Sequence, residues 1–104
     1  MENLSYSEVL NRLGYFRNKR NLSSRETSLR LDASTGHFNR IERGNIELKM
    51  KTFLEFLNIV EISPMEFFYP KLENYEKDRE LIEILMELSE EQKKTLLDVA
   101  KKFK

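Results

Sequence analysis

Apolar side chains recur along the chain at intervals of three and four, the spacing that places them on one face of an α-helix. Val9, Leu13 and Phe16 predict a first amphipathic helix over about 6–20, with Gly14 inside it at a cost of about 1 kcal/mol relative to Ala. The run Ser23-Ser24-Arg25-Glu26 reads as a capping box. The Ser23 hydroxyl accepts from the Glu26 N–H, the Glu26 carboxylate accepts from the Ser23 N–H, and a second helix starts there, about 24–31. Asp32 follows where a tight turn is needed, and Asp tolerates a left-handed backbone better than most residues. Ser34 predicts the cap of a third helix, about 35–43, with Ala33 and Phe38 as a small hydrophobic staple. Gly44 ends it, since glycine takes positive φ without steric penalty.

After a loop at 45–49, Met50, Phe53, Leu54, Leu57 and Val60 predict a fourth helix over about 50–60. Ser63-Pro64-Met65-Glu66 combines an N-cap, a proline at the first helical position and a capping-box glutamate, with Ile62 and Phe67 as its staple. Pro70 keeps this fifth helix short. Residues 73–104 are more regular and more charged. Tyr75, Leu81, Ile82, Leu85 and Leu88 form one apolar stripe, and Leu96, Leu97, Ala100 and Phe103 form a second behind a Ser89/Gln92 capping box. Two helices meeting at Leu88-Ser89 predict a helical hairpin. The expected architecture is all-α: five helices within 1–70, then the hairpin over 71–104.

Composition narrows the chemistry. The 104 residues contain 3 Gly and 2 Pro, too few for a turn-rich β fold. Without cysteine there is no disulfide scaffold, thiolate metal site or cysteine nucleophile, and one His excludes a multi-His metal centre. No apolar run approaches the roughly 18 residues of a membrane span, and the first ten residues lack the basic-then-apolar order of a secretion signal. A cytoplasmic protein is expected. The carboxylate pairs Glu90-Glu91 and Glu73/Glu76 read as solvated helix faces, and no nucleophile stands beside a base, so catalysis is not expected.

Charge is balanced overall, with 18 basic and 18 acidic residues, but not locally. Residues 12–51 hold ten basic side chains, Arg12, Arg17, Lys19, Arg20, Arg25, Arg30, Arg40, Arg43, Lys49 and Lys51, against four acidic ones, Glu26, Asp32, Glu42 and Glu47. A basic surface on a neutral protein suits a polyanion held on one face.

Residues 22–44 resemble the core of the phage-repressor and Cro type of helix-turn-helix domain, also called lambda-repressor-like or XRE. The strongest part is Phe38-Asn-Arg-Ile41-Glu42-Arg43-Gly44, close to that family's Ile-Ser-Arg-Ile-Glu-Arg-Gly signature. The segments Phe53-Leu54-x-Phe56-Leu57 and Ile62-Ser63-Pro64-Met65-Glu66-Phe67-Phe68 match its fourth and fifth helices without a gap, so the resemblance spans roughly residues 7–69.

The resemblance implies a recognition helix in the major groove, which at about 12 Å admits one α-helix, braced by the helix before it. It makes positions 35, 36 and 40 the commonest base-contacting ones, with 37 and 39 nearby: Thr35, Gly36, His37, Asn39 and Arg40. Arg40 has the geometry to donate two bonds to guanine, and Asn39 to pair with adenine. Gly36 offers only close approach. Ser24 and Arg25 at the start of the second helix, and Arg43 and Asn45 at the end of the third, are expected on phosphates; Ser24 replaces a usual Gln and reaches less far. Arg17 and Glu42 fall at positions that form an ion pair between helices.

Three features depart from the pattern. Thr27 and Ser28 stand where the family has an apolar and an Ala-like residue, Asp32 replaces a turn glycine, and Leu29 falls on the outer face of the second helix. A poorly packed helix pair and a partner-facing surface would each account for them. The expected function is sequence-specific double-stranded DNA binding by a homodimeric bacterial or phage transcriptional regulator, a repressor. The hairpin would serve as its oligomerisation element, and no cofactor or metal is involved. An antitoxin-like or adaptor module, using the same fold to bind protein, is the alternative.

Overall fold

The computed structural model describes residues 3–104, which contain seven helices and no strand. They are α1 (Tyr6–Lys19), α2 (Ser24–Arg30), α3 (His37–Glu42), α4 (Met50–Val60), α5 (Pro64–Phe67), α6 (Leu72–Glu87) and α7 (Glu90–Lys101). The chain divides into two compact units, one ending at Tyr69 and one spanning Pro70–Lys104. Among the described residues, no helix is long and apolar enough to cross a membrane.

Local chemistry sets where the helices begin and end. Ser5/Glu8, Ser23/Glu26, Ser63/Glu66 and Ser89/Gln92 each form a reciprocal capping box, satisfying donors a helix start leaves orphaned. Four left-handed residues close the first four helices: Asn21, Asp32, Gly44 and Glu61, with φ of 56°, 57°, 79° and 56°. After α2, the Asp32 N–H donates to the Leu29 carbonyl and the Ala33 N–H to the Ser28 carbonyl, the paired bonds of a Schellman turn. Arg20 caps α4 from outside. Its Nε donates to the Val60 carbonyl at 2.7 Å and its guanidinium pairs with the Glu61 carboxylate at 3.3 Å, placing a cation at the negative end of the helix.

The first unit's core is largely aromatic. Phe16, Phe38, Phe56 and Phe67 are fully buried with Leu13, Ile41 and Val60. Phe38 of α3 stacks on Phe56 of α4 with centroids 5.1 Å apart, and Phe53 meets Phe67 edge-on at 4.9 Å. Such pairs add about 0.5–1.5 kcal/mol each to what burial supplies. Phe56 takes the core position in α4, while Met50 and Leu54, expected in its apolar stripe, are exposed. The buried set Phe53, Phe56, Leu57 and Val60 is itself one helical face, and Leu54, about 100° from Phe53, lies at its edge.

Arg12 is buried within this unit and its Nη1 donates to the Phe67 and Tyr69 carbonyls at 2.7 and 2.6 Å. Burial lowers its pKa, with the charge of Glu8 pulling the other way. The two carbonyls supply part of the solvation that burial removes.

The second unit holds the two helices expected over 71–104. Every residue from 89 to 104 is exposed. Leu88 and Ser89, which join the helices, are both extended (ψ 146° and 164°). Among the described residues of this unit, none is left-handed. The single stripe expected on α6 also resolves into two. Tyr75, Ile82 and Leu85 are covered to some degree, whereas Leu81 and Ile84 stand exposed.

Candidate nucleic-acid interface

The candidate interface is built by α2, the turn at 31–36 and α3. α2 is held by its Ser23/Glu26 box at one end and by left-handed Asp32 at the other. Its buried side consists of Thr27 and Ser28, both inaccessible to solvent. Neither is poorly packed or partner-facing. The Thr27 hydroxyl donates to the Ser23 carbonyl, and that of Ser28 donates to the Ser24 carbonyl, each at 3.0 Å. Ser28 Oγ also accepts the backbone N–H of Phe38 at 2.9 Å. A hydroxyl on α2 therefore caps α3 across the turn, satisfying a donor that the start of α3 leaves orphaned.

That bond accounts for a difference in α3 itself. The expected helix over 35–43 is shorter, His37–Glu42, and Ser34 does not cap it through its side chain. Gly36 is the N-cap, and the Ser34 carbonyl accepts the His37 N–H at 3.0 Å in a turn before the helix. Thr35 and Gly36 thus stand in the turn rather than in the helix. A Cβ on Gly36 would lie 3.7 Å from an Arg40 Nη, so this glycine passes directly under the Arg40 guanidinium.

Phe38 and Ile41 turn inward, while Asn39, Arg40 and Arg43 are exposed and His37 is half-buried. Arg25 and Asn45 are exposed and Ser24 is half-buried. The Asn45 N–H is taken by the Arg40 carbonyl at 2.8 Å, which leaves its side chain for an outside contact. The Glu26 carboxylate sits in the first turn of α2 and bonds the Ser23 N–H. That bond and the Ser23 side chain lower its pKa. Its negative charge there offsets the pull of α2's start on an anion and leaves Arg25 as the attracting group. Leu29 is exposed on the outer side of α2.

Arg17 and Glu42 fix α3 to the body. Arg17 Nε and Nη2 donate to the two Glu42 oxygens at 2.8 and 3.1 Å, a two-point fork. Arg17 Nη1 reaches the Leu22 carbonyl at 2.9 Å, so one side chain joins α1, the segment before α2, and α3. Gly14 makes room for it: a Cβ there would lie 2.8 Å from Glu42 Oε1.

Sequence reasoning missed the structural duties of Arg12 and Arg20, which remove two cations from the apparent basic surplus, and the Ser28 cap. A hydroxyl where a packed helix face ordinarily carries Ala was the available signal for the last. Among the described residues, no cluster of His, Cys, Asp or Glu is placed to hold a metal ion. No protein-family model, curated protein or solved structure matches the chain.

Proposed function

We propose that this chain is a double-stranded DNA-binding transcriptional regulator of the lambda-repressor-like helix-turn-helix kind, a repressor acting as a homodimer at an inverted repeat. The reading assigns it to the cytoplasm of a bacterium or the host of a phage, and assigns it no catalysis and no cofactor. One observation carries it. A six-residue helix has Phe38 and Ile41 sunk in the core and Asn39, Arg40 and Arg43 on its free side, and its start is stapled to a preceding helix across a left-handed turn. That is the shape needed to offer one helix to a groove about 12 Å wide. Arg40 and Asn39 read bases, with Thr35, Gly36 and His37 at the groove floor. Arg25, Arg43, Asn45 and Ser24 lie on phosphates and fix register. Occupancy of the site blocks transcription.

Selection of bound fragments from random duplex DNA tests the reading. An enriched inverted repeat is expected, and no retained duplex even at low salt would refute it. The exposed Leu29 favours a second reading, a protein-binding module of antitoxin or adaptor type. A stoichiometric protein partner together with absent DNA retardation would select that one.

A further inference from the structure

The second unit presents an apolar surface with no cover. α7 buries none of its side chains, and a twelve-residue helix without a packed face is marginal in water. Yet α7 is patterned to pack. Leu96, Val99 and Phe103 follow one another at intervals of three and four, and all are exposed. Leu96 and Val99 line an open groove of about 460 Å³ with Leu88 and Gln92. On α6, the exposed Leu81 and Ile84 lead to Leu88 at the same spacing.

We propose that a second copy of this chain covers this surface, α7 of each copy lying along the exposed stripe of α6 in the other. The charges argue for a like partner. α6 carries Glu73, Glu80, Glu83 and Glu87 among its acids against Lys77 and Arg79, with Glu83 already 3.4 Å from Arg79. Beyond Gln92 the chain carries Lys93, Lys94, Lys101, Lys102 and Lys104 against Asp98 alone. The match lies between two elements of which one, α7, is exposed throughout within one copy. Two copies related by a two-fold axis use it twice, since a symmetric interface must be complementary to itself. The acidic α6 opposes a nucleic acid on the same surface. The proposal rests on the homodimer of the proposed function and names the surface that forms it.

Sedimentation of the full chain in the absence of DNA tests it. A two-chain mass is expected, with a dissociation constant below about 10 µM. Leu96→Glu combined with Val99→Glu should raise that constant by at least about thirtyfold. Because α7 buries nothing within one copy, the unfolding of the first unit should not change. Glu80→Lys with Glu83→Lys should also weaken the pair, and adding Lys101→Glu with Lys102→Glu should restore much of the loss. A wild-type chain that stays monomeric at about 100 µM overturns both dimer and surface. A dimer that none of these variants moves overturns the surface alone. Neither result bears on DNA retention, which is read separately.

Discussion

Removing the Ser28 hydroxyl isolates the link between α2 and α3. Ser28→Ala deletes the acceptor of the Phe38 N–H, 2.9 Å away, at a residue with no solvent access. An orphaned buried donor costs about 1–3 kcal/mol. Ala regains a few tenths of a kcal/mol through its higher helix propensity. A net loss of about 1–2.5 kcal/mol follows, and for a unit of this size that lowers the melting temperature by roughly 5–15 °C. Thr27→Val is the control. The Thr27 hydroxyl donates to the Ser23 carbonyl, which the Thr27 N–H already occupies, so no group is orphaned and the change should stay within about 0.5 kcal/mol. Urea or thermal unfolding measures both, and hydrogen exchange at the Phe38 amide locates the effect. If Ser28→Ala costs no more than Thr27→Val, or the Phe38 amide keeps its protection, the cap contributes nothing.

Gly14→Ala should forfeit the roughly 1 kcal/mol that Ala ordinarily brings to a helix, because its methyl meets Glu42 Oε1. The same change made beside Glu42→Ala should recover that gain, a coupling that urea unfolding of the double-mutant cycle reads directly. Arg40→Ala should cost about 1–3 kcal/mol of DNA affinity and relax preference at one base position, as measured on the selected site and its single-base variants. Arg25→Ala or Arg43→Ala should instead weaken all sequences alike and flatten the dependence of log affinity on log salt by about one unit. The lowered Glu26 pKa means its carboxylate stabilises the fold above the ordinary glutamate value, and that contribution fades as pH falls through the lower folded value. Acid unfolding of Glu26→Gln should therefore show a smaller pH dependence over that interval than the parent chain.

Helix starts were the most legible part of the fold because their signals are local. Ser23/Glu26, Ser63/Glu66 and Ser89/Gln92 each act within four residues of chain, and the left-handed turn at Asp32 follows from Asp's tolerance of that conformation. The start of α3 was not legible for the opposite reason. Ser34 is the right kind of residue in the right place, but the bond that matters comes from Ser28, ten residues away in sequence and on another helix. The same limit hid Arg12 and Arg20, whose partners are carbonyls about 40 to 57 residues downstream. In residues 73–104 the apolar period identified helices but not their neighbours. A stripe at three-and-four spacing is the same whether it meets another helix of its own chain or nothing.

The fork from Arg17 to Glu42, with its third branch to Leu22, leaves α3 little freedom to tilt against α1. A reader held this stiffly cannot mould itself to its target, so in the proposed complex the duplex must do the yielding. Operators would then be favoured partly for flexible steps at base pairs that no side chain reaches, and selectivity would be written in the mechanics of the DNA as well as in its lettering.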